Sequence, residues 1–361
     1  MSFELPAYNA PDFSKEIFRS APDVRTAVAD LEGVAPEGFH AFSIYPEYFR
    51  ISGKWVLATE SRMDCVPVIR DSGSLDVVEF RNLHKGDRVI LGRSEDGSEG
   101  IFVHCSGFGC GEGEEEVFSF RTGRTRETAY SKDYDNLYEL LRFERDNGSI
   151  VWVLGPAVVF DYDSREAMSA LIERGYVDAL LAGNALATHD LEGAMLGTAL
   201  GQDIYTQEQV RGGHYHHLEV INRARRAGSL EKLVKDWNLS SGVIRSALRK
   251  NVPIVLAGSI RDDGPLPGVY GDAYKAQDAM RSHLRRATTV VALATQLHTI
   301  ASGNMTPAFT VRDDRVRPVF FYSVDVSEFA VNKLRDRGSL EVVPIVANVQ
   351  DFLVHLKNRL E

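Results

Sequence analysis

The stretch LLAGNALATHD (residues 180–190) leaves an apolar run through Gly183, meets Asn184, and ends on His189 and Asp190. Apolarity without alternation predicts a strand buried on both faces, as in a parallel sheet. A glycine and an amide directly after it predict a strand-to-helix turn. That many polar groups at such a turn point to a ligand rather than a plain core connection. The pattern recurs in SIVWVLG (149–155), VPIVLAGS (252–259), TTVVALAT (288–295), RPVFFYSVD (317–325) and LEVVPIVAN (340–348). Segments of helical period lie between these runs, at 164–174, 190–200, 213–227, 272–286, 328–337 and 349–360. Alternating strands and helices predict an α/β doubly wound domain over residues 131–361, opened by a helix near 132–146.

The N-terminal part reads differently. Residues 36–122 hold short runs rich in β-branched and aromatic residues, among them KWVLATES, CVPVIRD, LDVVEF and VFSFRT, separated by Gly, Asp and Ser. They predict a β-rich domain over residues 1–130. RSEDGSEG (93–100) reads as a hairpin loop, and the acidic CGEGEEEVF (110–118) as a solvated segment.

Composition narrows the function. A net charge of −10 argues against a nucleic-acid partner, which needs a basic face. RARRAG (223–228) reads as a solvated helix end. Three cysteines, Cys65, Cys105 and Cys110, with no CxxC pair, fit a reducing compartment without structural zinc. The N-terminus has no apolar signal region, and no apolar run is long enough to span a bilayer, so the expectation is a cytoplasmic protein with no membrane partner.

Ligands of doubly wound sheets bind at the carboxyl ends of the strands, and the unusual residues fall there. Gly155-Pro156 end the first strand in a turn that lets a backbone approach a pyrophosphate. Gly183 and Asn184 end the second; Asp190 reads either as a cofactor contact or as a helix cap. Gly258 and Ser259 end the third, suited to phosphate or ribose, and lead into Arg261, Asp262 and Asp263. Asn304 follows the fourth, on a break before Pro307. Asp325 ends the fifth, where a carboxylate holds an adenosine ribose and repels a 2′-phosphate, which suggests NAD rather than NADP. His214, His216 and His217 cluster without the spacing or flanking carboxylate of a metal site, so no metal is expected. Neutral imidazoles there suit proton transfer.

Read in order, MDC (63–65), GPAVV (155–159), LLAGNALATHD (180–190), GGHYHHLEVINRARRAGS (212–229), LAGSIRDDGPLP (256–267), ASGNMTPA (301–308) and VDVSE with KLRDRGS (324–339) resemble the archaeal-type ornithine cyclodeaminase family. That family carries a LOR/SDH-type domain and also forms the C-terminal part of arginine dihydrolase fusions. The resemblance covers the chain from about residue 35 to its end. It implies a Rossmann-like C-terminal domain related to that of deoxyhypusine synthase, a resident NAD, a homo-oligomer (dimer or tetramer), and conversion of ornithine to proline and ammonia. It implies cofactor contacts at Gly155, Pro156, Asn184, Gly258, Ser259, Asn304 and Asp325. With ornithine as substrate, the acid–base candidates are Asp262 or Asp263, then His216. Asp64 is a candidate for holding a substrate amine, Arg62 or Arg261 for holding the carboxylate, and Asn184 for a further polar contact. Three segments depart from the family pattern: Phe160-Asp161-Tyr162, His40-Ala41-Phe42-Ser43 and ANVQD (347–351). They bear on the substrate more than the cofactor. Two other readings stand beside the cyclodeaminase: an NAD-linked enzyme of this fold acting on another amino acid or imine, and a non-catalytic NAD-binding protein.

Overall fold

The structure, a computed structural model, describes residues 3–108, 130–262, 264–332 and 340–361. The strand expected at VFSFRT, the whole acidic segment 110–118 with Cys110, Asp263 and residues 333–337 of the helix expected at 328–337 lie outside the described residues.

The N-terminal part builds two small antiparallel sheets. Their strands are β1 (Arg25–Val28), β2 (Glu47–Ile51), β3 (Lys54–Leu57), β4 (Cys65–Ile69), β5 (Leu75–Glu79), β6 (Arg88–Leu91) and β7 (Ile101–Val103). One sheet runs β1-β6-β4-β5 and the other β3-β2-β7. Phe42, Phe49, Cys65, Val77, Ile90 and Ile101 meet in the core between them. The segment 93–100 therefore does not close a hairpin: β6 and β7 belong to different sheets, and this loop crosses from one to the other. Cys65 is fully buried, and burial pushes its thiol up to about 12, so it packs rather than reacts.

The C-terminal part contains β8 (Ile150–Leu154), β9 (Ala179–Gly183), a short pair β10 (Thr198–Ala199) and β11 (Gln202–Asp203), β12 (Ile254–Ala257), β13 (Thr289–Leu293), a hairpin β14 (Phe309–Arg312) and β15 (Arg315–Pro318), β16 (Phe320–Asp325) and β17 (Glu341–Val346). Six of these form one sheet in the order β12-β9-β8-β13-β16-β17, every neighbouring pair parallel. Renumbered along the chain this is 3-2-1-4-5-6, the order of dinucleotide-binding sheets. Alternate residues of β8 explain its continuous apolarity. Ile150, Trp152 and Leu154 pack towards Leu137, Met168 and Phe352, whereas Val151 and Val153 pack towards Met280 and Met305.

The structure differs from the sequence reading at several places. The helix after β9 is Asn184–Leu196, beginning six residues before the expected 190, because Gly183 is extended and Asn184 already has helical geometry. It ends at Gly197, which is left-handed (φ 69°). Residues 296–305 are a helix, not a break, so Asn304 sits in its last turn; Pro307 then bars continuation. The β14–β15 hairpin was not legible because its two-residue turn is Asp313-Asp314, both left-handed, where glycine or asparagine is the usual signal.

This hairpin fastens the two parts. Ala308 N–H donates to the Ser61 carbonyl (3.0 Å) and Val311 N–H to that of Thr59 (3.2 Å). Arg285 donates to Glu60 (Nε to Oε1, 2.8 Å). Glu60 and Thr310 also pair as an isolated bridge. The N-terminal sheets thus dock beside the amino ends of β13 and β16, leaving the carboxyl ends on the other side.

Candidate functional site

The parallel register aligns the carboxyl edge. Continued one residue past the paired positions, it puts Ala257, Gly183, Gly155, Ala294, Asp325 and Val346 in one row. The strand order reverses between β8 and β13, so the crevice for a ligand opens at Gly155 and Ala294. The backbone is close there: Gly155 N–H donates to the Leu293 carbonyl (2.8 Å), and a methyl group on Gly155 would lie 1.9 Å from the Ala294 carbonyl oxygen. Ala294 itself is left-handed (φ 51°). Pro156 then opens a tight turn over Pro156–Val159, and Asp161 caps the helix Tyr162–Glu173 by accepting from Ser164 N–H. The divergent Phe160-Asp161-Tyr162 segment therefore forms the wall just beyond the crevice, where Phe160 packs edge-on to His189 (5.5 Å).

On the β9–β12 side, Asn184 is buried and its Oδ1 accepts from Leu266 N–H (3.0 Å). Gly258 N–H donates to Tyr270 O (2.9 Å), and a methyl group on Gly258 would meet that oxygen at 2.9 Å. Ser259 N–H donates to Asp262 Oδ2 (2.8 Å), folding the acidic loop back over the edge, while Arg261 is exposed. Sequence reading missed His298. It stands in the first turn of the helix Gln296–Met305, against Gly183: a methyl group there would lie 3.0 Å from His298 Cε1. Burial holds this imidazole below its ordinary pKa, partly opposed by the charge of Asp262. His298 is thus a neutral base near pH 7, paired electrostatically with a carboxylate at the edge of the crevice. The only sequence signal was its place directly after the fourth strand. On the β16 side, Asp325 Oδ1 accepts from Ser327 N–H (2.9 Å).

Three expected residues sit elsewhere. Arg62, Asp64 and Asn304 line a cavity of about 270 Å³ at the seam between the two parts, with Arg81, Arg281 and Met305. His298 and Asn304 are six residues apart on one helix, so the seam lies about 9 Å along that helix from the crevice. Arg62 is no free carboxylate fork: it is buried, bonded to Glu79 and to Val77 O (3.1 Å), and paired with Glu60 (3.2 Å). Burial pushes the Glu79 carboxyl up, but Arg62 and Arg281 outweigh it and hold it at about 2. Asn304 Oδ1 is buried without a hydrogen-bond partner.

Asp190 does not reach the crevice either. It is fully buried, accepts from Arg165 Nε (2.8 Å), and caps the helix Val243–Arg249 through the N–H groups of Val243 (2.9 Å) and Ile244 (2.8 Å). Both oxygens are engaged, so the expected cofactor contact gives way to a structural one. The cap belongs to a helix distant in sequence, which no local pattern reveals. His216 stands at the start of the helix His216–Ala227 with Nδ1 2.8 Å from Thr198 Oγ1. Among the described residues no group of three or more His, Cys, Asp or Glu is arranged to hold a metal ion, and no helix is long and apolar enough to cross a membrane.

A parallel sheet in this order, with a backbone cradle only glycine permits at its reversal, defines the class: an α/β protein of the Rossmann kind. A family model described as arginine dihydrolase ArgZ-like, C-terminal, Rossmann fold, matches residues 137–356. An ornithine cyclodeaminase from Methanopyrus kandleri is 37% identical over 341 residues, 94% of this chain and 79% of that protein. A conserved LOR/SDH protein from Methanococcus maripaludis superposes with a TM-score of 0.84 at 32% identity, over 94% of this chain and 98% of that one. AgrE, solved as a ternary complex with ornithine and NAD+, gives a TM-score of 0.59 at 37% identity, over 94% of this chain and 46% of that one. The chain belongs to the family of the archaeal ornithine cyclodeaminases and of the C-terminal part of ArgZ-type arginine dihydrolases.

Proposed function

We propose that this protein is an NAD-dependent ornithine cyclodeaminase that converts L-ornithine to L-proline and ammonia without net redox change, and that it works in the cytoplasm as a homo-oligomer. The single observation that carries the reading is the glycine cradle at the strand-order reversal, in a chain 37% identical to ornithine cyclodeaminases. The cradle fits a dinucleotide, because a backbone without side chains is what a pyrophosphate needs at close range. Residues near 130 divide the β-rich part from the nucleotide-binding part.

In this assignment Gly155, Pro156 and Ala294 receive the pyrophosphate, Asp325 holds the adenosine ribose over β16, and Gly183, Asn184, Gly258 and Ser259 line the nicotinamide side. The usual ribose-binding acid ends the second strand; here that strand ends in Gly183-Asn184, and Asp325, which ends β16, is the carboxylate that would take that role. Bound NAD supplies a hydride acceptor and donor. The chain supplies the rest: His298, with Asp262 behind it, moves a proton at the substrate nitrogen, and Arg261 pairs with the carboxylate. Asp263, beside Asp262 in the sequence, stays a candidate for the same work.

The first test is direct. NAD is expected in the supernatant of the denatured protein, and the intact protein is expected to yield proline and ammonia from ornithine with no accumulation of NADH. NAD with no proline would exclude ornithine and favour another amino acid or imine. Two variants refine the assignment. His298→Asn is expected to lower kcat about 10²–10⁴-fold, the usual loss on removing a general acid–base group, while NAD stays bound. Asp325→Ser is expected to narrow the preference for NAD over NADP by about tenfold, read from the two dissociation constants, because a like charge facing the 2′-phosphate is removed.

A further inference from the structure

Behind the strand edge lies a chain of polar groups that the assignment above does not use. Glu192 is fully buried in the helix Asn184–Leu196 and accepts four hydrogen bonds. Its Oε2 receives His189 Nδ1 (2.8 Å) and Leu200 N–H (3.2 Å); its Oε1 receives the Thr198 hydroxyl (2.8 Å) and Gly201 N–H (3.0 Å). Burial alone would push this carboxyl up, but the bonds from His189, Gly201 and Thr198 outweigh it and hold it below the ordinary range. Glu192 is therefore an anion and only accepts.

That fixes the protons along the chain. The single hydroxyl proton of Thr198 goes to Glu192. The 2.8 Å contact between Thr198 Oγ1 and His216 Nδ1 must then be filled by a proton on the imidazole. In its neutral form His216 is therefore held as the Nδ1–H tautomer with Nε2 left as the acceptor, and neutral His189 likewise, since its Nδ1 donates to Glu192. This is the tautomer less populated by free histidine. The segment that carries His216 is seated by backbone packing: a methyl group on Gly213 would lie 2.3 Å from the Gly201 oxygen, one residue from Leu200, in the turn that Glu192 pins. His189, Phe160 and His217 complete the surroundings, the rings of His189 and His217 lying 6.4 Å apart.

We propose that Thr198 and Glu192 are positioning residues that present the Nε2 lone pair of His216 as the acceptor for a proton of the substrate's second ammonium group. The inference rests on the cyclodeaminase reading. One proton passes from the ammonium nitrogen to Nε2, freeing the nitrogen electron pair for ring closure. The freed pair forms the new N–C bond at the carbon that lost hydride, which brings both nitrogens onto one carbon. The C–N bond to the first nitrogen then breaks, and the imidazolium, keeping its Nδ1–H on Thr198, gives its Nε2 proton to that leaving nitrogen, so protons balance over the turnover. His298 serves the nitrogen at the hydride-losing carbon, and His216 the nitrogen at the far end of the chain. A substrate with two amines needs two such groups.

The test combines a tautomer measurement and a variant pair. Long-range ¹⁵N–¹H correlation spectra of histidine-labelled protein are expected to show His216 as Nδ1–H in the wild type and in Thr198→Ser. Thr198→Val, nearly the same shape without the hydroxyl, is expected to lose that state. It is also expected to lower kcat by about tenfold or more with KM within about twofold, as when an oriented catalytic histidine loses its tautomer, while Thr198→Ser restores kcat. An Nε2–H tautomer for His216 in the wild type overturns the proposal without any variant. A loss confined to KM, or equal impairment of the serine variant, also overturns it. If the tautomer is as expected but ornithine yields no proline, the functional reading has failed, and the proton transfer falls with it.

Discussion

Gly155→Ala is expected to lose its dinucleotide on purification, and its turnover is expected to fall by about two orders of magnitude, the cost of misplacing reacting groups by an ångström. The added methyl would lie 1.9 Å from the Ala294 carbonyl oxygen and 2.6 Å from its carbon. Both are backbone atoms of the residue that directly follows the adjacent parallel strand, so neither moves without pulling on the end of the register that joins β8 to β13. The strain falls at the crevice itself, because Gly155 and Ala294 are the first residues past the paired strands. Gly271→Ala is the control: an added methyl there meets nothing within 4 Å. Nucleotide content after denaturation, compared between the two variants, reads the difference. Equal NAD content in both would show that the crevice at the strand reversal is not where the dinucleotide binds.

The sheet was legible because its strands are buried on both faces, which removes the alternation that makes half-buried strands ambiguous. The carboxyl edge was legible for a related reason: Gly155, Gly183 and Asp325 each follow directly on an apolar run, so finding the strand also finds the residues at its end. Residues reached through tertiary contact were not. Asp190 reads like a residue of the ligand turn, yet it sits well inside the helix and caps one that begins more than fifty residues later. Arg62 and Asp64 looked able to reach the substrate from the N-terminal part, but that part docks on the hairpin β14–β15, which the sequence did not announce. His298 was hidden for another reason: a lone histidine in a helix start, Gln296-Leu297-His298-Thr299, carries no motif until the helix is placed against Gly183. Glu192 and Thr198 carry no local signal, since their partners are each other, two histidines and a turn.

Asp190→Ala is expected to destabilise the protein by about 3–5 kcal/mol, the usual cost of leaving one member of a buried pair without its partner. Arg165 and Asp190 are each 1% exposed, so the guanidinium left behind stays buried without its carboxylate. Two N–H groups at the start of the helix Val243–Arg249 lose their acceptor as well. A methyl group on Gly242 would meet Arg165 Nη2 at 2.5 Å and Asp190 Oδ2 at 2.9 Å, so this corner is packed too closely for another side chain to fill the gap. Urea denaturation followed by far-ultraviolet circular dichroism reads the loss, and the NAD affinity of the folded fraction is expected to stay within about twofold of wild type, since the carboxylate makes only structural contacts. The two quantities separate the roles that the sequence left open for Asp190. A lost affinity with unchanged stability would return it to the cofactor site, whereas lost stability with unchanged affinity fixes it as the clasp between two helices. Asp190→Asn sharpens the comparison, because the amide keeps the shape and one acceptor but presents a donor to Arg165 or to a helix N–H, and so is expected to recover only part of the stability.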